Sequence, residues 1–155
     1  NEPPFEYHRY HIQSLMQLSA KSPQNNFSAD YPFVTQSNGS GSFGLPGDYS
    51  SESRFIRAAF VKMNSKAKHT ETERVNQFFH ILDSVSMPHG CVEIHPGEFE
   101  ITRYSSCCNT SKGIYYYTTY ENKQITAVDM HKENLEENRT VSYPLLTSPN
   151  ILPQN

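Results

Sequence analysis

The hydrophobic pattern of this 155-residue chain changes its period near His89 and Gly90, and that change limits the folds open to it. Before this point, apolar residues recur every three or four positions, which is typical of amphipathic helices. After it, polar and apolar residues alternate or form dense aromatic and β-branched runs, which is typical of strands. Helices followed by strands predict an α+β fold in which a helical layer covers one face of a sheet.

Three helices are predicted in the first part of the chain. The first covers Phe5 to about Ala20, and the second covers Ser51 to Ser65, where several serines can cap its start. The run Thr70-Glu-Thr-Glu73 has the capping-box sequence and predicts the start of a third helix. Residues 21–47 are rich in Ser, Asn, Gly and Pro, so we expect a long irregular connection there.

Strands are predicted in the second part. Alternation over Phe99 to Tyr104 indicates a strand, and Thr102 to Asp129 predicts a three-stranded antiparallel meander. Asn109–Gly113 and Glu121–Lys123 supply the residue types that its two turns require. Val141 to Leu145 is a candidate for a further strand. With helices on one face only, the sheet would leave its other face for a partner layer.

Charge and composition exclude several classes of partner. Lys and Arg number 13 against 16 Asp and Glu, which gives a formal net charge of −3. This balance offers no electrostatic footprint for nucleic acid or an anionic membrane. No apolar run reaches the length needed to cross a bilayer. Cys107 and Cys108 are adjacent and would point to opposite faces of a strand, so we expect free thiols and a cytoplasmic protein.

Two weaker patterns do not support a cofactor or a metal. Gly39-Ser-Gly-Ser-Phe-Gly44 satisfies the dinucleotide-binding pattern, but Pro46 and Gly47 would stop the helix that this motif must open. His8 and His11 lie one helical turn apart, yet no third ligand accompanies them. We therefore expect neither a cofactor nor a metal ion.

The segment from Gly44 to Phe60 is the strongest candidate for a functional site. Pro46 and Gly47 suit the two central positions of a type II turn, which would aim the helix that follows. Arg54 falls in the first turn of that helix, where the macrodipole is already positive, so an anionic group or packing of its stem must offset the charge. Asp48 and Ser53 are candidates to orient it.

Three stretches of the sequence resemble the choloylglycine hydrolase family, the bile salt hydrolases and penicillin V acylases. They are Gly44–Phe60, Tyr104–Met130 and the opening Asn1-Glu-Pro-Pro-Phe5, and the similarity extends to about Pro144. The resemblance implies an αββα N-terminal-nucleophile hydrolase sandwich, of which residues 1–155 form the C-terminal portion of a single domain. The missing half would contribute the second sheet, or much of it.

The resemblance also implies a mechanism. Family members attack a linear amide with an N-terminal cysteine whose own α-amino group is the base, without a cofactor. Because this chain begins with Asn1, we expect an upstream half to supply the nucleophile and the chain alone to be inactive. Asn1 aligns with an asparagine near the tetrahedral intermediate, where its amide would bind the oxyanion. Arg54 aligns with an arginine beside the nucleophile, where it would favour the thiolate.

Several functions remain open from the sequence. The preferred one is a conjugated bile salt hydrolase; alternatives are penicillin V acylase-like specificity, a non-catalytic truncated remnant, and a small binding module. The expected partners are an N-acyl amide small molecule, the N-terminal half of the same enzyme and further copies in a homo-oligomer, with neither nucleic acid nor membrane.

Overall fold

The computed structural model describes residues 3–35 and 37–155, and these residues form three α-helices and five β-strands. The helices are α1 (Phe5–Gln13), α2 (Ser51–Asn64) and α3 (Glu71–Asp83). The strands are β1 (Glu93–His95), β2 (Glu98–Phe99), β3 (Tyr104–Asn109), β4 (Ile114–Thr119) and β5 (Thr126–Asp129). Helices precede an antiparallel meander, so the predicted α+β class is confirmed.

The chain divides into two compact units, Asn1–Lys66 and Ala67–Asn155. In the N-terminal unit, α1 packs on α2 through Phe5, which meets Phe55 edge to face with ring centroids 6.0 Å apart. Ile56 of α2 is buried in this unit, with 2% of its surface exposed. The amphipathic periodicity that predicted both helices therefore directs their apolar faces toward each other.

Helix α1 is shorter than predicted, because the expected continuation to Ala20 breaks at Ser14. The Ser14 hydroxyl and backbone N–H both donate to the carbonyl of His11, at 2.7 and 3.1 Å. Local bonds of this kind compete with the helical pattern, and the chain continues in tight turns through Leu18.

The predicted irregular connection between α1 and α2 is confirmed, and among its described residues it contains one short element, a 3-10 turn at Ser40–Ser42. Ser19 N–H donates to the Gly41 carbonyl at 2.8 Å, which brings the two ends of the loop together. A Cβ atom at Gly41 would lie 1.9 Å from the Lys21 carbonyl oxygen, so only glycine permits this approach.

In the C-terminal unit, the capping box of α3 forms as predicted. Thr70 Oγ1 accepts from the Glu73 N–H at 3.3 Å, and the Thr70 N–H donates to the Glu73 carboxylate at 3.2 Å. The meander is also confirmed, with the order β3–β4–β5, both pairs antiparallel, and Tyr116 opposite both Cys107 and Ala127. Phe79, Met87 and Tyr117 are the buried apolar residues of this unit.

Two predicted strands are wrong. Residues 100–103 belong to no strand and separate β2 from β3; the Glu100 N–H donates to the Val92 carbonyl just before β1, and the Thr102 N–H donates to the Met87 carbonyl. Residues 141–145 form no strand either. The next residue, Leu146, is bound by two side chains of β4. The Tyr117 hydroxyl accepts from the Leu146 N–H at 3.3 Å, and the Thr119 hydroxyl donates to the Leu146 carbonyl at 3.0 Å.

The hairpin of β1 and β2 was not predicted from the sequence. Its strands are three and two residues long, too short for alternation to be visible. Gly97, at φ 81°, turns the chain between them. None of the helices among residues 3–35 and 37–155 has the length and apolar character that a bilayer crossing demands.

Candidate active site

The start of α2 is held by a network around Asp48. Ser50 caps the helix, and its hydroxyl accepts from the Ser53 N–H at 3.3 Å. Asp48 accepts from the Ser50 N–H at 2.9 Å and from the Ser53 hydroxyl at 2.5 Å. These bonds position the first turn of α2, and they lower the pKa of Asp48 well below its usual range, the bonds from Ser50 first and the Ser53 hydroxyl next.

We expect Asp48→Asn to flatten the acid limb of the stability curve. A carboxyl whose pKa is lower in the folded state stabilises the fold above its unfolded pKa, and that stabilisation is lost as pH falls from about 4 toward the folded value. Asp48→Asn should have a lower melting temperature than the unmodified protein at pH 7. In thermal melts between pH 7 and pH 2, its melting temperature should therefore fall less. The exposed Asp30→Asn is the control, and an unchanged acid limb in Asp48→Asn would contradict the network.

The type II turn lies earlier than predicted. Gly47 does not adopt a positive φ, whereas Gly44 does, at 91°. Phe43, at φ −61° and ψ 126°, precedes it, and Leu45 N–H donates to the Ser42 carbonyl at 3.0 Å. The turn therefore spans Ser42 to Leu45, because a type II turn requires a positive φ at its third residue.

Backbone carbonyls between that turn and α2 bind Arg57, a residue that was not a sequence-based candidate. Its guanidinium donates to the Pro46 carbonyl at 2.8 Å and to the Asp48 carbonyl at 3.1 Å. Arg57 follows Arg54 by three residues, a spacing that places the two on neighbouring positions of the helix surface. The predicted orienting groups, Asp48 and Ser53, bond each other and anchor the helix that carries Arg54.

Arg54 itself is half-buried, and its Nε is a buried atom without a hydrogen-bond partner in the described part of the chain. It lines a cleft of about 440 Å³, the Arg54 cleft, whose walls are Pro3, Phe5, His8, Ser51, Arg54 and Phe55. A guanidinium in such a place can bind an anionic or carbonyl oxygen. Asn1, the second predicted catalytic residue, lies outside the described residues.

His8 forms the α1 side of the Arg54 cleft. Its ring stacks on Phe55 with centroids 4.2 Å apart and an interplanar angle of 16°, and 5% of the residue is exposed. The sequence marked His8 only as half of a weak metal pair with His11. No group of three or more His, Cys, Asp or Glu side chains with metal-site geometry occurs among the described residues.

A second cavity, of about 570 Å³, lies in the C-terminal unit between α3 and the β3–β4 hairpin. Glu71 accepts hydrogen bonds there from Asn109 at 2.5 Å, from the Tyr116 hydroxyl at 3.0 Å, and from Lys112. Lys112 contributes most to the lowered pKa of Glu71, and Glu71 raises the pKa of Lys112. The donors lie 38 to 45 residues after Glu71 in the sequence, so no local sequence pattern predicts this cluster.

The three cysteines are free thiols. Cys107 and Cys108 occupy adjacent positions of β3, so their side chains point to opposite faces, as predicted. Burial raises the pKa of the Cys107 thiol, and the neighbouring Cys108 contributes in the same direction. A raised pKa disfavours the reactive thiolate, so Cys107 is poorly suited to act as a nucleophile.

Comparison with known proteins identifies the family of this chain. The family model described as "Linear amide C-N hydrolases, choloylglycine hydrolase family" matches residues 1–143. A "Bile salt hydrolase/transferase" of Lactiplantibacillus plantarum is 48% identical over 145 residues, which are 94% of this chain and 45% of that protein. A protein of the same description from Clostridium perfringens is 37% identical over 92% of this chain and 44% of its own length.

Solved structures agree with this match. A crystal structure of a mutant conjugated bile acid hydrolase from Clostridium perfringens has a TM-score of 0.87 and 36% identity, and the match covers 100% of this chain and 47% of that one. Penicillin V acylase from Agrobacterium tumefaciens has a TM-score of 0.60 at 19% identity over 85% of this chain and 35% of its own, which shows a shared fold. The chain belongs to the choloylglycine hydrolase family, and it spans about half the length of the curated relatives it matches.

Proposed function

We propose that this chain is the C-terminal portion of a hydrolase of linear amide C–N bonds that acts on conjugated bile salts, and that upstream residues supply its cysteine nucleophile. The observation that carries the proposal is the 48% identity to a bile salt hydrolase/transferase over 94% of the chain. Arg54 supports it, because its guanidinium lines a cleft and its buried Nε has no hydrogen-bond partner among the described residues, which suits an arginine that stabilises a reacting anionic group.

In the proposed mechanism, the cysteine thiolate attacks the amide carbonyl carbon and the C–N bond breaks. The amine leaves with a proton from the cysteine α-amino group, and water then hydrolyses the thioester to a carboxylate. Arg54 is assigned to stabilise the thiolate before attack. Asn1 is assigned to donate its amide N–H to the oxyanion of the tetrahedral intermediate. No step requires a cofactor.

Bile salts are preferred over penicillin V as substrates. Two relatives described as bile salt hydrolases are 48% and 37% identical to this chain, whereas the penicillin V acylase shares the fold at 19% identity. Penicillin V acylase-like specificity and a non-catalytic remnant are the other outcomes of the test below. We also propose that the protein is cytoplasmic, which its three free thiols support. We propose in addition that it forms a homo-oligomer.

The proposed function is tested by hydrolysis assays on the protein at its natural length, with glycine- and taurine-conjugated bile salts and phenoxymethylpenicillin as substrates. We expect Asn1→Ala to lower kcat by about 100-fold, the loss typical of one oxyanion donor. Asn26→Ala, an exposed change in the long connection, is the control and should leave kcat unchanged. No hydrolysis of any of the three substrates by the unmodified protein would favour the remnant.

A further inference from the structure

The Arg54 side chain is not fixed by a hydrogen bond at Nε or by an ion pair in the part of the chain that the structure describes. An arginine side chain can occupy many rotamers, so its surroundings must select one of them. The position of the Arg54 guanidinium therefore depends on the backbone that carries it and on the side chains next to it.

Arg57, in the second turn of α2, connects the helix to the residues that precede it. Its Nη1 donates to the Pro46 carbonyl at 2.8 Å and to the Asp48 carbonyl at 3.1 Å. Both residues come before the N-cap residue Ser50, so their carbonyls take no part in the hydrogen bonds within α2. Long helical side chains point toward the helix N-terminus, which is why a residue of the second turn can reach them. These bonds hold residues 46–48 against α2.

Asp48 joins this connection to the helix cap. Its carbonyl accepts from Arg57, and its carboxylate accepts from the Ser50 N–H at 2.9 Å and from the Ser53 hydroxyl at 2.5 Å. Ser53, which is only 8% exposed, directly precedes Arg54 in the sequence, and Arg57 follows it one helical turn later. The backbone of Arg54 is thus tied on both sides to the same residue, Asp48.

The same bonds direct the charge of Arg57 away from the Arg54 cleft. The two guanidinium groups come from neighbouring positions on the helix surface and would repel each other there. Arg57, bound to two carbonyl oxygens, is not among the residues that line the cleft, whereas Arg54 is. The other titratable side chain on the described walls of the cleft is His8 of α1. Arg57 therefore supports Arg54 without entering the site.

We propose that Arg57 is a positioning residue for the hydrolysis, which holds Arg54 in place through the Pro46 and Asp48 carbonyls. The proposal rests on the proposed function, which assigns Arg54 to stabilise the thiolate of the cysteine nucleophile. Without the bonds of Arg57, the start of α2 can move and Arg54 moves with it, and a displacement of about 1 Å can lower a rate by about 100-fold. The effect of Arg57 on the thiolate is indirect and requires Arg54.

The test measures the pKa of the nucleophile thiol in the protein at its natural length. Alkylation of the N-terminal cysteine by iodoacetamide is followed against pH by mass spectrometry of the peptide that carries it, so no substrate is needed and the other thiols do not interfere. Arg57→Met keeps most of the apolar stem but removes the donors. It should raise the thiol pKa by about one unit, because a displaced cation stabilises the thiolate less. It should also lower kcat by about tenfold, with KM changed by less than about twofold.

A double variant distinguishes positioning from a general structural role. In an Arg54→Ala background, Arg57→Met should change kcat by less than about twofold and leave the thiol pKa as Arg54→Ala sets it, since the residue through which Arg57 acts is gone. Arg57→Lys keeps a charged donor and should recover part of both losses, and it carries the same comparison if Arg57→Met loses helical circular dichroism. Lys62→Ala is the matched control, because Lys62 is an exposed cation in the last turn of the same helix.

Equal effects of Arg57→Met with and without Arg54 would overturn the proposal, as would a thiol pKa and a kcat that match those of Lys62→Ala. If Arg54→Ala itself left both quantities unchanged, the role of Arg54 in the proposed function would fail, and the role of Arg57 would fail with it. A raised thiol pKa in Arg57→Met without hydrolysis of any bile salt would refute the proposed substrate and leave the positioning by Arg57 standing.

Discussion

Arg54→Ala is expected to reduce kcat for hydrolysis of conjugated bile salts by up to about 1,000-fold in the protein at its natural length. The guanidinium lies in the first turn of α2, its buried Nε has no hydrogen-bond partner in residues 3–35 and 37–155, and its assigned task is to stabilise the thiolate. Loss of one preorganised electrostatic donor costs about 10² to 10³ in kcat, and a fixed full charge falls at the upper end of that range. The measurement is steady-state kinetics with glycine- and taurine-conjugated substrates.

Arg9→Ala is the control, because Arg9 is an exposed arginine of α1 in the same unit. Arg54→Lys should recover only part of the rate, since an ammonium keeps the charge but not the planar geometry of the guanidinium donors. If Arg54→Ala matched Arg9→Ala in kcat, Arg54 would have no part in the reaction. A fall in the helical circular dichroism of Arg54→Ala would instead indicate a structural role.

Phe79→Ala should lower the free energy of unfolding by about 3 to 5 kcal/mol, the usual cost of deleting a buried phenylalanine. Phe79 is 5% exposed and is one of three buried apolar side chains in its unit, with Met87 and Tyr117. Denaturant unfolding followed by tyrosine fluorescence measures the change. A compact unit that depends on so few buried residues should be sensitive to each of them.

The adjacent Phe78→Ala is the matched comparison, because it removes the same atoms from a side chain that is 41% exposed. It should cost about 1 kcal/mol, in keeping with its smaller loss of buried area. Equal losses for the two variants would mean that the core of this unit is not where the structure places it.

Local chemistry made part of the fold predictable from the sequence. The capping box of Thr70 and Glu73 and the turn residues of the meander act over three to five positions, and both appeared as expected. Predictions failed where distant partners decided the outcome. The alternation of residues 99–104 predicted one strand, but β2 ends at Phe99 and β3 begins at Tyr104, and the Thr102 N–H between them donates to the distant Met87 carbonyl. The positive φ of the type II turn lies at Gly44, although Pro46 and Gly47 match the residue preferences of that turn better.

In the candidate site, too, local sequence signals were predictive and contacts between distant residues were not. Arg54 was predicted as a site residue from its position on α2 and from the family resemblance, and it stays a prediction. Arg57 and His8 were missed, because no spacing rule reveals that one reaches the Pro46 carbonyl or that the other stacks on Phe55. The sequence placed Glu71 at the start of a helix and predicted nothing more for it. Its three hydrogen-bond donors come from the β3–β4 hairpin and are visible only in the structure.

The three donors on Glu71 affect how α3 opens. First turns of helices usually fray, so their amide protons exchange rapidly with solvent through local opening. Here the first residue of α3 is tied to β3 through Asn109, to the hairpin through Lys112 and to β4 through Tyr116. The first turn cannot detach without breaking all three, so amides near the start of α3 should exchange on the timescale of the meander rather than as an independent end.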